Sequence, residues 1–168
     1  MVEPRSPLAG PRDLGASLRS WLDRTPNRTF VLYPLLVIAG WSLRGPDRRH
    51  LDLRFSPLLA WGYLQYRLVG GFRVARGGGG PGIQVPPDRL VESGPYGFVR
   101  NPMYLGHLVF LAGLALTFRT RLAVAIFAAN APWFHARVLD DEAQLAKRFG
   151  PAYEAYRARV RRWIPGLF

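Results

Sequence analysis

Residues 101–134 read NPMYLGHLVFLAGLALTFRTRLAVAIFAANAPWF, and this stretch decides the fold. It contains two apolar blocks, Pro102–Phe118 and Leu122–Phe134, separated only by three polar residues. A surface helix of a soluble protein shows polar residues every three or four positions. Here one histidine and one asparagine interrupt the two blocks, and glycine and alanine are frequent. The stretch therefore predicts a tight hairpin of two membrane helices whose small residues allow close packing.

Two further apolar blocks precede this hairpin. The first, Thr29–Leu43, is uncharged but shorter than the roughly 20 residues that a membrane-spanning helix needs. Pro34 predicts a kink within it. The second runs from Ser56 to about Ala75 and is long enough to span. The four blocks together predict an all-α, integral-membrane helical bundle of about four spans. Trp61 is interpreted as an ordinary core residue.

The distribution of basic residues orients these spans. With four spans, both termini and the loop between the second and third blocks lie on one side of the membrane. That side carries 16 arginines and lysines, and the opposite side carries 6. The positive-inside rule predicts that the richer side is cytoplasmic. The asymmetry accounts for the formal charge of +12 without nucleic acid as a partner. We expect an integral protein of a bacterial inner membrane, with the lipid bilayer as its partner; the sequence leaves the oligomeric state open.

The cysteine and histidine content of the sequence excludes several kinds of site. The sequence has no cysteine, which excludes disulfides and thiolate chemistry, and its three histidines lack metal-ligand spacing. No metal site is expected.

Residues 1–28 form a polar N-terminal segment, with either a short amphipathic helix from about Leu14 to Leu22 or a loose tail. Residues 29–168 form the membrane domain, and its motifs lie in 88–165.

The first motif, Asp88–Gly106, reads DRLVESGPYGFVRNPMYLG. Proline suits the first position of a helix, so Asn101 is expected to cap the helix that begins at Pro102. The positive end of that helix then faces the cytoplasm and suits an anion. Capping of a membrane helix is the simpler alternative, but it leaves three further polar side chains of the same turn unexplained: Tyr96, Arg100 and Tyr104.

The second motif, Arg137–Pro165, reads RVLDDEAQLAKRFGPAYEAYRARVRRWIP. Its acidic triplet, residues 140–142, is expected just beyond the last membrane helix. A break at Gly150–Pro151 separates amphipathic helices that we expect at the cytoplasmic face. Two interpretations of the acidic triplet stay open. The carboxylates form salt bridges with the many arginines, or one of them receives the cationic part of a ligand.

The two motifs, about 40 residues apart, resemble the isoprenylcysteine carboxyl methyltransferases and the related phospholipid methyltransferases. The resemblance implies a membrane-embedded enzyme that uses S-adenosyl-L-methionine, with its active site facing the cytoplasm. It also implies that an arginine four residues before the acid contacts the acceptor, which corresponds to Arg137. The residues that it assigns to the cofactor are Asp88, Arg89, Leu90, Val91, Tyr96, Arg100, Asn101, Pro102, Met103, Tyr104 and Asp141.

The resemblance is incomplete. Asn101 stands where the carboxyl methyltransferases usually have histidine, Asp141 stands in place of glutamate, and Arg161 stands in place of a proline. We expect transfer of a methyl group to a lipophilic acceptor, foremost a carboxylate of the isoprenylcysteine type. A phospholipid amine, a small thiol and a catalytically silent scaffold are the alternatives.

Arg137 and Glu142 are predicted to be the catalytic residues. A thiol or amine acceptor would benefit from a base, and Asp141, Glu142 and His107 are the candidates. For His107, a packed neutral side chain is the alternative to a base. Arg67, inside the second block, is either functional or extends to the membrane surface.

Overall fold

The computed structural model describes residues 14–45, 50–80 and 85–164. The described part is helical and has no β-strand, which confirms the predicted all-α class. The α-helices in chain order are α1 (Leu14–Asp23), α2 (Thr25–Asn27), α3 (Tyr33–Ser42), α4 (Ser56–Gly77), α5 (Pro95–Phe98), α6 (Pro102–Phe118), α7 (Arg121–Phe149) and α8 (Pro151–Arg159). A π-helix, Arg28–Leu32, joins α2 to α3, and a 3₁₀-helix, Leu53–Phe55, precedes α4.

The first apolar block forms one continuous helical run from α2 through α3. Pro34 lacks the N–H that would continue the regular hydrogen-bond pattern. The π-helix lies directly before it, and the Tyr33 amide donates to the Arg28 carbonyl there. Insertion of a wider turn is one way for a helix to accommodate a proline. The predicted irregularity therefore takes the form of a π turn.

The closest approach in the bundle is between α4 and α6. A Cβ atom at position 62 would lie 2.5 Å from the Phe110 backbone nitrogen. A Cβ atom at position 106 would lie 2.9 Å from the Gly62 carbonyl oxygen. Small residues permit such backbone contact in membrane bundles. The prediction of close packing through small residues thus applies most strongly to α4 with α6, which contact each other more extensively than α6 and α7 do.

Two contacts, one at each end of α6, show that α4 and α6 run antiparallel. At one end, the loop before α4 meets the end of α6, where the Asp52 amide donates to the Thr117 carbonyl at 2.8 Å. At the other end, the Gln65 side chain of α4 donates to the Pro102 carbonyl at the start of α6. The two contacts agree with an up-and-down order for this pair of helices.

The outward surface of these helices is apolar. Leu35, Leu36 and Ile38 on α3 are exposed, as are Leu68 on α4 and Val124 on α7. Large exposed apolar surfaces mark contact with a partner or a membrane. Among the described residues, α7 is the one helix that is both long and apolar enough to cross a membrane, and α6 is a shorter apolar helix.

Two expectations about the helices are wrong. Trp61 is not a core residue, because 56% of it is exposed on the outer surface of α4. The last membrane helix does not end near Phe134, because α7 continues to Phe149 and includes the acidic triplet. Polar residues replace apolar ones along α7 without a helix-breaking residue until Gly150. The interpretation of residues near Leu14–Leu22 as a helix is confirmed by α1.

Candidate active site

A cavity of about 310 Å³ lies where α6 begins. The residues around it come from the end of α4, the loop after it, α5, the first turn of α6, the second half of α7, and α8. This volume is within the range of small-molecule binding sites. The cavity is therefore assembled at one end of α6 by segments spread over half the length of the chain.

Three polar side chains meet on the wall formed by α6 and α7. The Tyr104 hydroxyl donates a short hydrogen bond to an Asp141 carboxylate oxygen. Arg137 lies one helical turn before Asp141, and its Nε atom is 3.4 Å from Oδ1 of that carboxylate. Both side chains are partly exposed, so a bound molecule can reach them. A positive and a negative group are thus presented side by side to the cavity.

Behind this wall, Glu142 is the centre of a buried ionic cluster. Its carboxylate accepts hydrogen bonds from Arg100 and Arg162, and from Asn101 Nδ2 at 2.8 Å. The bond to Glu142 is the main reason that the pKa of the Arg162 guanidinium lies above its usual value. Both carboxylate oxygens are occupied, and Glu142 does not line the cavity. The cluster fixes Arg100 and Asn101, which do line it.

The same cluster changes the role expected of Asn101. This residue occupies the N-cap position of α6, but its side chain makes no capping hydrogen bond. The side chain donates instead to Glu142, across to α7. The prediction of a side-chain cap is therefore wrong. The charged carboxylate of Glu142 is a strong acceptor for the Asn101 amide nitrogen, whereas a cap would have required the Asn101 side-chain oxygen to accept from an N–H group at the start of α6.

The C-terminal part closes the opposite wall. The Tyr156 hydroxyl of α8 donates to the Tyr96 carbonyl at 2.8 Å, and burial raises the pKa of the Tyr96 side chain. The Arg100 amide donates to the Arg161 carbonyl at 2.8 Å, beside a bridge between Val99 and Arg161. These contacts hold α5 and the turn before α6 against the end of the described chain.

The loop after α4 forms the remaining wall and is held by Arg73. This arginine is buried, and its guanidinium donates to the carbonyls of Val85 and Gly80 at 2.6 and 2.9 Å. The Asp88 side chain accepts from the Gly79 amide at 2.8 Å. Asp88 also faces Arg148 of α7 at 3.4 Å, both side chains being exposed. Arg73 lines the cavity and was not predicted as a site residue.

The structure brings most of the predicted site residues to this one cavity. Those that line it are Leu90, Val91, Tyr96, Arg100, Asn101, Met103, Tyr104, Arg137 and Asp141. Asp88 and Arg89 are exposed in the loop, Pro102 is buried at the start of α6, and Glu142 lies behind the wall; none of these four lines the cavity. Within the described residues there is no cluster of side chains suited to a metal ion.

Neither of the two isolated polar residues of the membrane blocks lines the cavity. His107 is fully buried, and its ring packs against Phe30 and Phe134 at centroid distances of 4.7 and 5.2 Å. Its nitrogens have no hydrogen-bond partner among the described residues. This geometry favours the packed neutral side chain over the base. Arg67 is exposed on α4, which favours extension to the membrane surface.

Further residues of the lining were not predicted. They are Arg73, Val85, Pro86, Pro87, Gln144, Leu145, Arg148, Tyr153 and Tyr156. Three of them carry a signal in the sequence, because Gln144, Leu145 and Arg148 follow Asp141 at spacings of three, four and seven residues. Such spacings place side chains on one face of a helix. The residues of the loop after α4 carry no comparable signal.

Comparisons with known proteins match the region that builds this cavity. The family model described as phospholipid methyltransferase matches residues 82–152. The protein-S-isoprenylcysteine O-methyltransferase of Schizosaccharomyces pombe is 32% identical over 77 residues, which cover 45% of this chain and 33% of that protein. The chain thus spans about a third of the length of this curated relative. No solved structure matches. The segment that builds the cavity is therefore similar to an isoprenylcysteine methyltransferase and to phospholipid methyltransferases.

Proposed function

We propose that this chain is an integral-membrane methyltransferase that uses S-adenosylmethionine and methylates a lipophilic carboxylate on the cytoplasmic side. The observation that carries the proposal is the meeting of Tyr104, Arg137 and Asp141 in one cavity, inside the segment that matches methyltransferases. The apolar outer surface of the helices supports a site at the edge of a bilayer.

The residues of the cavity fit the methyl donor. S-adenosylmethionine contains an ammonium group, a carboxylate and a purine. Its site therefore needs a negatively charged side chain, a positively charged side chain and an apolar wall. Asp141 supplies a partly exposed carboxylate for the cationic end. Arg148 supplies a guanidinium on the same helix, at the mouth of the cavity. Leu90 and Leu145 form apolar wall for the purine, and all four residues belong to the lining.

Arg137 is the residue that selects the acceptor in this proposal. When bound, S-adenosylmethionine supplies an electrophilic methyl group on a positively charged sulfur. The planar guanidinium of Arg137 binds a carboxylate through two parallel hydrogen bonds and so orients one oxygen toward the methyl carbon. Because the acceptor is already an anion, no residue has to remove a proton. Positioning of the two reactants contributes much of the acceleration in such a reaction.

A phospholipid amine is the second candidate acceptor, and the description of the matching family favours it. An amine is a nucleophile only when it is unprotonated, so this reaction needs a base. Asp141 is the available carboxylate, because the oxygens of Glu142 are occupied by arginines and Asn101. The two candidates differ in their dependence on Arg137, which binds a carboxylate and repels an ammonium group.

The proposal is tested on the purified chain in detergent. Calorimetry measures S-adenosylmethionine binding, and radiolabelled methyl transfer is measured with prenylcysteine, lipid-amine, fatty-acid and thiol acceptors. Asp141→Asn should weaken binding of the donor by roughly 10- to 100-fold, because one charged hydrogen bond contributes about 1.5–3 kcal/mol. The adjacent Asp140→Asn is the matched control, since Asp140 is exposed and does not line the cavity. Absence of donor binding to the unaltered chain would favour a silent scaffold.

A further inference from the structure

The helix α1 has an apolar face that the rest of the described chain does not cover. Leu18, Trp21 and Leu22 lie on one side of this ten-residue helix, and Arg19 and Asp23 lie on the other. This is the pattern of an amphipathic helix. Leu18 is 58% exposed and Trp21 is 38% exposed. An exposed leucine and tryptophan on one face of a short helix require an apolar environment that lies outside the described structure.

The chain changes direction between α1 and the first long helix. Arg24 is in an extended conformation, and α2 begins at the next residue. The Asn27 side chain donates to the Trp21 carbonyl at 2.9 Å, which ties the end of α1 to the start of α2. A non-helical residue therefore separates α1 from the helical run of α2 and α3, and a side-chain hydrogen bond bridges this break.

That turn lies at the level where aromatic and charged groups mark the edge of the bundle. The Arg28 guanidinium lies 5.2 Å from the centre of the Trp133 ring on α7, and Trp133 is exposed. Trp133 lies where α7 changes from apolar to polar residues, and a tryptophan beside an arginine at such a point is typical of a membrane interface. Arg28 follows Asp23, the last residue of α1, by only five residues. The apolar face of α1 is thus close to the same interface.

We propose that α1 is an interfacial helix that lies on the bilayer, with Leu18 and Trp21 among the acyl chains and the arginines at anionic head groups. The inference rests on the membrane embedding in the proposed function. Leu18 and Trp21 are exposed, as are apolar residues of α3 and α7, and they belong to a helix of ten residues that is too short to span. Arg19, Arg24 and Arg28 place positive charge beside that face. Amphipathic helices of this composition bind anionic membrane surfaces.

The absence of native cysteine makes a direct test possible. Single cysteines are introduced by Leu18→Cys on the apolar face and Ser20→Cys on the polar face, and each is labelled with an environment-sensitive fluorophore. The full chain is then reconstituted into vesicles containing phosphatidylglycerol. The label at position 18 should be quenched several-fold more strongly by nitroxide lipids than the label at position 20. Iodide in the buffer should show the opposite order.

A third label separates this inference from the embedding itself. Leu36→Cys lies on the exposed face of α3 and should be quenched by nitroxide lipids if the bundle is embedded. Quenching at position 36 together with equal quenching at positions 18 and 20 would overturn the interfacial helix alone. Protection of position 18 from both quenchers would mean that protein covers the face, and this would also overturn it. Loss of lipid quenching at position 36 would overturn the embedding.

The contribution of the arginines has its own readout. In the labelled Leu18→Cys chain, Arg19→Gln with Arg24→Gln should reduce lipid quenching in phosphatidylglycerol vesicles. The same change should have little effect in phosphatidylcholine vesicles, because head-group attraction depends on anionic lipid. Equal quenching before and after the substitutions in anionic vesicles would contradict the proposed contact between the arginines and the head groups.

Discussion

At the scale of single residues, the proposed function predicts that Arg137 contributes to binding of the acceptor and not to binding of the donor. Its guanidinium lies beside Asp141 and is partly exposed to the cavity. Arg137→Ala should raise the acceptor concentration needed for half-maximal methyl transfer by roughly 10- to 100-fold, as expected for loss of a charged hydrogen-bond pair. Donor affinity should change little, because Asp141 remains. Initial rates over a range of acceptor concentrations, with calorimetry for the donor, measure both effects.

Two further variants test whether the effect of Arg137→Ala comes from loss of its planar guanidinium at the cavity. Arg137→Lys keeps the charge but lacks the planar fork, so it should recover only part of the acceptor affinity. Arg121→Ala removes an exposed arginine from the opposite end of the same helix and should leave both affinities unchanged. If Arg137→Ala abolished donor binding and left acceptor affinity intact, the proposed roles of Arg137 and Asp141 would be reversed.

We expect Glu142 to contribute mainly to the stability of the folded protein and not directly to methyl transfer. It is buried between Arg100 and Arg162, and the Arg100–Glu142 pair has side-chain exposures of 8% and 6%. Removing one member of a buried pair leaves uncompensated charge and costs about 3–5 kcal/mol. Glu142→Ala should therefore lower the temperature of thermal unfolding in detergent strongly. The measurement is circular dichroism against temperature, with donor binding followed on the folded fraction.

The ion pair between Glu154 and Arg157 provides the matched comparison for Glu142. It lies on the surface of α8 at 3.3 Å, with both side chains about half exposed. Exposed pairs contribute about 0–1 kcal/mol, so Glu154→Ala should hardly change the unfolding temperature. Equal losses of stability in the two variants would contradict the assignment of Glu142 as the organiser of a buried cluster.

At the scale of helices, the contact between α4 and α6 depends on glycine. Gly62→Ala places a methyl group 2.5 Å from backbone of Phe110, and backbone cannot rotate away as a side chain can. Overpacking of this kind costs about 1–3 kcal/mol. Gly71→Ala is the control on the same helix, because nothing lies within 4 Å of its new methyl group. Thermal unfolding should show a loss for Gly62→Ala and an unchanged or slightly raised stability for Gly71→Ala.

The helices themselves were largely readable from the sequence. The extent of the apolar block and the proline at its start predicted the bounds Pro102–Phe118 for α6, as observed. The same reasoning does not predict the end of α7, because the helix continues beyond the last residue of the apolar block. A helix that leaves a membrane changes its composition without changing its backbone. The spacing of Arg137 and Asp141 already contained the signal that α7 continues.

The cavity was only partly readable for a different physical reason. Arg137 and Asp141 could be grouped by their spacing on one helix, and Tyr104 could be grouped with Asp141 by resemblance. The buried position of Arg73 could not, because its partners are backbone carbonyls of a loop. Likewise, the pairing of Asn101 with Glu142 depends on the packing of α6 against α7. Long-range contacts of this kind have no local pattern.

At the scale of the whole molecule, the orientation in the membrane is open to direct test. The excess of arginines predicts that α8 is cytoplasmic and that the loop around His50 faces the other side. Single cysteines at His50 and at Ala155, an exposed position of α8, should behave differently in intact cells. A membrane-impermeant maleimide should label His50→Cys, and Ala155→Cys should react only after permeabilisation.

Labelling of both positions in intact cells, with membrane integrity verified, would contradict an alternating arrangement of four spans. Labelling of Ala155→Cys alone would invert the orientation while preserving the alternation. The same two variants should retain donor binding, because neither residue lines the cavity. That measurement verifies that the labelled proteins are folded.

The contact between the turn before α6 and the segment after α8 sets an order of events during synthesis. Arg100 donates through its amide to Arg161 and through its guanidinium to Val160, and its carboxylate partner Glu142 also binds Arg162. Consider a nascent chain in which all the apolar helices have been made but residues 160–162 have not. In that chain, Arg100 lacks the Val160 and Arg161 carbonyls as hydrogen-bond acceptors. Donor binding should consequently appear late on a stalled ribosome, after membrane insertion is finished. We therefore expect membrane insertion of the helices and completion of the donor-binding site to be separate steps in the synthesis of the protein.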